Sequence, residues 1–185
     1  MSQRPSGYKR QPDEAYETPA WVVAALLAQL HAPVRCAWDP ADRNSGRLVA
    51  ALRALGVNAV GTAEDFLTVT APPPEVDNII ANPPYGEARR GELATRFIEH
   101  ALTLPVPRIA MLLRNDFDSA FNRQHLFRRC ADFAGKVVLL NRIKWFEGPS
   151  GPSDNHAWFL WSRTHLGPPT IHYGARVEMD AGGTS

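Results

Sequence analysis

The chain has 185 residues, of which 44% are hydrophobic and 21% are charged, and its formal net charge at pH 7 is +1. This length and composition are typical of one globular domain, and no apolar run approaches the roughly 18 residues that a membrane-spanning helix requires. The near-neutral charge argues against a strong non-specific binder of nucleic acid, but among the 20 basic residues only Lys9, Lys136 and Lys144 are lysines, and arginine favours phosphates and bases.

The composition along the chain predicts one domain between two tails. Residues 1–14 are polar and basic without apolar periodicity, so we expect a flexible basic tail there. Residues 15–174 are expected to form a single domain, and residues 175–185 a second flexible tail. The polar first residues do not have the pattern of a secretory leader.

The cysteine content indicates a reduced protein. Cys36 and Cys130 lie far apart in sequence, one in a predicted strand and one at a predicted helix end. We therefore expect a cytoplasmic protein without a disulfide or a metal site.

The first predicted helix begins near Thr18, which is a candidate N-cap, with Pro19 in its first turn. A helix over the following residues buries one face, because its apolar residues recur at helical spacing: Trp21, Val22, Ala25, Leu26 and Leu30.

A strand, a polar loop and a helix follow in direct succession. The strand is predicted over residues 34–38, the loop is Asp39-Pro40-Ala41-Asp42-Arg43-Asn44-Ser45-Gly46, and the helix covers residues 47–55 before Gly56. This succession opens a doubly wound sheet, in which ligands bind outside the carboxyl ends of the strands. The loop is therefore the predicted site of a nucleoside cofactor.

A second strand is predicted over residues 57–62 and ends close to acidic residues. Glu64, Asp65 and Phe66 come after it, and carboxylates in such a position can accept hydrogen bonds from ribose hydroxyls. For Phe66, packing in the core is an alternative explanation.

The apolar run at residues 76–81 predicts a short buried strand that two prolines end, in Asn82-Pro83-Pro84-Tyr85. The Asn82 side-chain oxygen and the Pro83 carbonyl can both accept hydrogen bonds from a planar amino group. The Tyr85 ring offers a stacking face, so phenylalanine is expected to serve equally well there. This combination suits an amino group on a flat heterocycle, and a simple strand-ending turn is the alternative.

The later part of the chain is predicted to complete the sheet. A helical apolar stripe lies between residues 93 and 102, and another helix is expected over residues 119–129 with Arg123 on its exterior face. Arg89, Arg90 and Arg123 are candidate phosphate contacts, with solvated surface charge as the alternative. Further strands are predicted at residues 108–113, which end in Arg114-Asn115-Asp116-Phe117 at the carboxyl edge, and at residues 136–145 and 156–161.

The order of these motifs resembles that of class I methyltransferases that use S-adenosylmethionine (SAM) and carry an Asn-Pro-Pro-Tyr motif. The chain resembles in particular the small phage-type enzymes that methylate the N-6 amino group of adenine in DNA, over about residues 16 to 165. The resemblance implies a Rossmann-like three-layer α/β sandwich, with a mostly parallel sheet and an antiparallel last strand.

The resemblance also implies roles for individual residues. The catalytic residues are Asn82, Pro83, Pro84 and Tyr85, and the nucleic acid is contacted by Arg89, Arg90 and Arg123. The residues implied to bind SAM are Tyr16, Thr18, Pro19, Asp39, Pro40, Ala41, Gly46, Glu64, Asp65, Phe66 and Asn82.

The chain departs from the family pattern in two places. Arg43 stands where the loop pattern Asp-Pro-x-x-Gly-x-Gly has its first glycine, and Ala63 stands where an acidic residue is expected. Three alternatives to DNA adenine methylation stay open, two because Asn-Pro-Pro-Tyr suits any planar amino group and one because of the altered loop. They are methylation of adenine in structured RNA, methylation of a glutamine amide in a protein, and a non-catalytic module that no longer holds SAM.

Overall fold

The computed structural model of the protein describes residues 18–42, 46–85, 91–145 and 154–176. The predicted tail at residues 1–14 lies outside these ranges, and so do residues 177–185 of the second predicted tail. Three predicted site residues also lie outside the described residues: Tyr16, Arg89 and Arg90.

Helices and strands alternate through most of the described chain. The helices are α1 (Ala20–Leu27), α2 (Arg47–Ala54) and α3 (Glu92–Thr103). None of the helices in the described ranges combines the length and the hydropathy needed to cross a membrane. The strands are β1 (Cys36–Asp39), β2 (Asn58–Gly61), β3 (Asn78–Ala81), β4 (Arg108–Arg114), β5 (Phe133–Leu139), β6 (His156–Ser162) and β7 (Thr170–Gly174).

The seven strands form one sheet in the order β2-β1-β3-β4-β6-β5-β7. The pairs β1/β2, β1/β3, β3/β4 and β5/β7 are parallel, whereas β6 is antiparallel to both of its neighbours, β4 and β5. This confirms the predicted mixed sheet, and β6 is the antiparallel strand that was expected to end it. The structure adds β7 beyond that strand, at the edge of the sheet.

The helices cover both faces of the sheet, as the predicted three-layer sandwich requires. Because successive strand residues point to opposite faces, Ala37 and Ile80 pack with α1 and α2, whereas Trp38 and Ile79 pack with α3. The central strands β1 and β3 are buried on both faces, which explains why their sequences are apolar without alternation.

The prediction of a helix over residues 119–129 is wrong. Two 3₁₀ turns, Phe117–Ser119 and Phe121–Arg123, followed by further turns, take its place. Side chains compete here for backbone carbonyls: Ser119 Oγ donates to Asp116 O at 2.7 Å, and Gln124 Nε2 donates to Phe121 O at 3.0 Å. Such local bonds disfavour a continuous helix.

A buried carboxylate joins three segments at the amino-terminal edge of the sheet, opposite the predicted site. Asp77 is 6% exposed and accepts the backbone N–H of Cys36 at 2.9 Å and Arg108 Nη2 at 2.8 Å. Arg108 also donates to the carbonyls of Ala32 and Pro33. These contacts hold the entrances of β1, β3 and β4 together.

Candidate active site

The carboxyl ends of β1 and β3 meet at a switch point of the sheet, because the chain leaves these neighbouring strands toward opposite sides. From β1 the chain passes through α2 to β2 on one side, and from β3 it passes through α3 to β4 on the other side. Open α/β sheets bind their ligands at such a switch point. Asp39 ends β1 and Asn82 follows β3, so a predicted cofactor residue and a predicted catalytic residue lie at the same switch point.

Asp39 is a buried acid at this edge. It is 4% exposed, and its Oδ1 accepts the backbone N–H of Ala41 at 3.0 Å. Burial raises the pKa of Asp39 to about 8, because the hydrogen bond from Ala41 only partly opposes the desolvation, and nearby Asp42 adds to the rise. A carboxyl group that burial keeps mostly protonated at neutral pH can ionise when a cationic or hydrogen-donating ligand binds.

We expect the burial of Asp39 to make stability depend on pH. The folded protein retains the Asp39 proton up to about pH 8, whereas the unfolded chain loses it near pH 4. The free energy of unfolding should therefore fall as pH rises through this interval, by at most about 1.4 kcal/mol per pH unit from this group. Urea unfolding at several pH values should show that the Asp39→Asn variant gains stability relative to the parent from pH 4 to pH 8. A constant difference between the two proteins would contradict the burial of Asp39.

Asp42 closes the loop after β1. Its Oδ1 accepts the backbone N–H of Gly46 at 2.6 Å, and its carboxylate lies against Gly61 at the end of β2, where a Cβ atom would overlap it. Gly46 has φ of 64°, in the left-handed region that favours glycine, and α2 begins directly after it. The glycine that this loop retains is thus at a position whose backbone favours it, and the sequence did not indicate the contribution of Asp42.

The Asn-Pro-Pro-Tyr motif leaves the sheet at the carboxyl end of β3. Pro83 is buried, whereas Asn82, Pro84 and Tyr85 are half-buried. The Tyr85 hydroxyl accepts the backbone N–H of Arg114, the last residue of β4, at 2.7 Å. Burial raises the pKa of Tyr85 well above its ordinary value, so the hydroxyl stays protonated. The motif is therefore tied to the end of the neighbouring strand.

This contact changes the expectation for a phenylalanine at position 85. The Tyr85→Phe variant leaves the Arg114 N–H without this acceptor, which should lower the free energy of unfolding by about 1 kcal/mol. Chemical denaturation of both proteins measures the difference. Tyr173→Phe is the matched control, because Tyr173 is 61% exposed and loss of its hydroxyl should leave stability unchanged. Equal midpoints for the Tyr85→Phe variant and the parent would show that the hydrogen bond contributes nothing.

Charged and aromatic groups after β4 form the adjoining part of the edge. Arg114 Nε and Nη2 donate to the two carboxylate oxygens of Asp116 at 3.2 and 3.1 Å. The Phe117 ring meets the Tyr85 ring edge-on, with centroids 6.4 Å apart. The Arg123 guanidinium lies 3.8 Å from the Phe117 ring centroid, and Arg123 Nη1 donates to the Phe117 carbonyl at 2.9 Å. The sequence placed residues 114–117 at this edge but gave no sign of these contacts.

Thr18 and Pro19 lie at the start of α1. Pro19, rather than Thr18, occupies the N-cap position, and no described side chain caps the helix. The prediction of Thr18 as N-cap is therefore wrong by one residue. Thr18 is 5% exposed, and its contribution to SAM binding stays a prediction.

The predicted contacts to the nucleoside lie after β2. Glu64 and Asp65 are exposed, and Asp65 Oδ1 accepts the backbone N–H two residues later at 3.1 Å, which caps the 3₁₀ turn Phe66–Thr68. Phe66 is 3% exposed and lies edge-on to Trp38 with ring centroids 5.5 Å apart. Phe66 thus lies in the core, as the alternative explanation expected, and its contribution to SAM binding stays a prediction.

Comparison with known proteins finds similarity at the level of structure. No family model and no curated protein matches the chain. A solved structure from Listeria monocytogenes, of a protein assigned to the class I SAM-dependent methyltransferases, matches with a TM-score of 0.60 and 12% sequence identity. The match covers 91% of this chain and 68% of the Listeria protein.

Two further similar structures come from type I R-M systems. One is the methyltransferase subunit of a type I restriction-modification system from Streptococcus thermophilus, with a TM-score of 0.54, 13% identity, and coverage of 81% of this chain and 45% of the subunit. The other is a structure of a type I R-M system, with a TM-score of 0.57, 16% identity, and coverage of 86% and 44%. The chain spans less than half the length of these two proteins. At such identities the likeness establishes the fold alone, and that fold is the one of class I SAM-dependent methyltransferases.

Proposed function

We propose that the protein transfers the methyl group of SAM to the exocyclic 6-amino group of adenine in DNA. The position of Asn82-Pro83-Pro84-Tyr85 carries this proposal, because the motif follows β3 directly, at the switch point beside β1. Two observations support DNA as the substrate: the resemblance to the phage-type enzymes, and the similar structures from type I R-M systems.

The residues at the ends of β1 and β2 fit SAM. Asp39 offers a buried acceptor, and Gly46 turns the backbone in front of α2 without a side chain. Glu64 is exposed, and we assign it to accept hydrogen bonds from the ribose hydroxyls. When bound, SAM supplies an electrophilic methyl group on its sulfonium. The proposed cofactor site is completed by Tyr16, Thr18, Pro19, Pro40, Ala41, Asp65, Phe66 and Asn82.

The motif addresses the weak nucleophilicity of the adenine 6-amino nitrogen, whose lone pair is delocalised into the ring. Asn82 and Pro83 each provide an oxygen for one of the two amino hydrogens. Accepting both hydrogens favours tetrahedral geometry and returns the lone pair to the nitrogen. Transfer would form the nitrogen–carbon bond as the sulfur–carbon bond breaks, with S-adenosylhomocysteine as the leaving group and one amino proton passing to solvent. Holding the nitrogen in line with the methyl group lowers the entropic barrier.

The target adenine must leave the duplex to reach this motif, because inside the duplex its amino group is paired and stacked. The Tyr85 ring is the proposed stacking platform, and the hydrogen bond that its hydroxyl accepts from the Arg114 N–H fixes its position. Arg89, Arg90 and Arg123 are the proposed phosphate contacts of the nucleic acid.

Incubation with methyl-labelled SAM tests this function. Adenine-unmethylated plasmid DNA, total RNA and a glutamine-bearing peptide are offered separately, and the label is expected in adenine of the DNA. Label in RNA or in the peptide would assign the same geometry to a different substrate. Absence of label from all three, together with no heat of SAM binding in calorimetry, would identify a non-catalytic module. Sequencing of the methylated plasmid then maps the target.

A further inference from the structure

Phe121 is a large aromatic side chain that is 86% exposed. It lies in residues 115–124, which we call the β4 loop because they follow β4. Through Phe117, the same loop contacts Tyr85 of the Asn-Pro-Pro-Tyr motif. The other large apolar side chains that are exposed among the described residues lie outside this loop: Leu55, Leu140, Leu166, Ile171 and Tyr173.

The β4 loop is held in place at its base. Lys136 Nζ donates to Asp118 Oδ2 at 2.8 Å and to the Asn115 carbonyl at 3.2 Å, which fastens the loop to β5. Arg123 folds back onto Phe117, with the two contacts described above. Phe121 therefore projects from a loop whose position is fixed beside the site.

The tip of the loop is shaped by its own hydrogen bonds. The Arg123 N–H donates to the Ala120 carbonyl at 3.0 Å, and the backbone and side chain of Gln124 both donate to the Phe121 carbonyl, at 3.4 and 3.0 Å. The turn that these bonds form presents the Phe121 ring to solvent, so the ring does not pack in the core. Little reorganisation is needed for the ring to enter another molecule.

We propose that Phe121 inserts into duplex DNA and stacks on the bases that the departing adenine leaves behind. This inference rests on the proposed function, because only an enzyme that extrudes a base creates such a gap. Apolar side chains of this kind enter base steps and replace part of the lost stacking. The ring that is exposed in the free protein then loses its contact with water in the complex. Phe121 is a positioning residue in this scheme, since Asn82 and Tyr85 contact the extruded adenine.

Methylation rates on two duplexes that carry the mapped target sequence test the insertion. In one duplex the target adenine pairs with thymine, and in the other it faces an abasic site, where extrusion needs no base pair to be broken. The Phe121→Ala variant is expected to lower the single-turnover rate on the paired duplex about tenfold or more. The loss should shrink to about twofold on the abasic duplex, because unpairing costs least there.

Two matched variants accompany the test. Phe121→Trp keeps an aromatic wedge and should retain the parental rate on both duplexes. Leu166→Ala removes a side chain that is 93% exposed and follows β6 at the opposite edge of the sheet, so it should change neither rate. Unaltered thermal unfolding of each variant confirms that the fold is intact.

The outcomes separate this inference from the proposed function. An equal loss on both duplexes would overturn insertion and make Phe121 part of the motif's own support. Parental rates for Phe121→Ala on both duplexes would also overturn it and assign Phe121 to ordinary exposed surface. A parent protein that methylates adenine in neither duplex would contradict the proposed function itself, and the insertion would fall with it.

Discussion

The Asn82→Ala variant is expected to transfer methyl groups about 10²-fold more slowly than the parent, or slower still, while it retains its affinity for SAM. The lost oxygen matters most as the adenine nitrogen becomes tetrahedral, so its removal raises the barrier rather than weakening binding. Single-turnover methylation at saturating DNA measures the rate, and calorimetry measures SAM affinity in parallel.

Asn58→Ala is the matched control, because Asn58 is an exposed asparagine at the start of β2, at the edge of the sheet away from the site. It should keep the parental rate. If Asn82→Ala kept the parental rate too, the motif would be only a strand-ending turn. Loss of SAM affinity together with turnover would instead assign Asn82 to the cofactor.

The Asp77→Ala variant is expected to lose about 3–5 kcal/mol of unfolding free energy, because the substitution removes the carboxylate that pairs with Arg108 and accepts the buried Cys36 N–H. Burial opposes ionisation of Asp77, but the hydrogen bonds from Cys36, Asn78 and Arg35 and the charge of Arg108 outweigh it and hold the pKa below its ordinary value. The contribution is therefore present above about pH 4 and is lost as pH falls through the lowered pKa. Denaturant unfolding at pH 7 and pH 3 measures both effects.

Arg35→Ala separates the buried network from its exposed member. The Arg35 side chain is 81% exposed, against 22% for Arg108, so its ion pair with Asp77 should contribute at most about 1 kcal/mol. A loss as large for Arg35→Ala as for Asp77→Ala would contradict the assignment of the stabilisation to the buried Arg108 contact.

The sequence was sufficient to predict the fold where one local signal dominated. The run at residues 76–81 became β3 because apolar residues filled both faces and two prolines removed the donors that would continue the strand. The predicted strand at residues 136–145 proved to be Phe133–Leu139. The apolar Ile143 suggested a longer strand, but it is buried without belonging to one. β7 escaped prediction because Ile171 and Tyr173 are exposed, so the segment has no buried alternation and depends on pairing with β5.

In the candidate site, the sequence predicted where residues lie along the strands but not which side chains contact each other. Asn82 and Asp39 could be placed at one edge because each follows a predicted parallel strand. The hydrogen bond from Arg114 to Tyr85 joins residues 29 positions apart, and the edge-on packing of Phe66 against Trp38 joins two different elements. No spacing within the sequence encodes such contacts, because they exist only after the strands and helices have packed.

The most direct test of adenine methylation is the nucleoside content of DNA from cells that produce the protein. DNA from an adenine-unmethylated host that expresses either the parent or the Asn82→Ala variant is digested to nucleosides and analysed by mass spectrometry. The proposed function predicts N6-methyladenine with the parent and only background with the variant. Equal background in both samples, or a methyl group on another base, would contradict it.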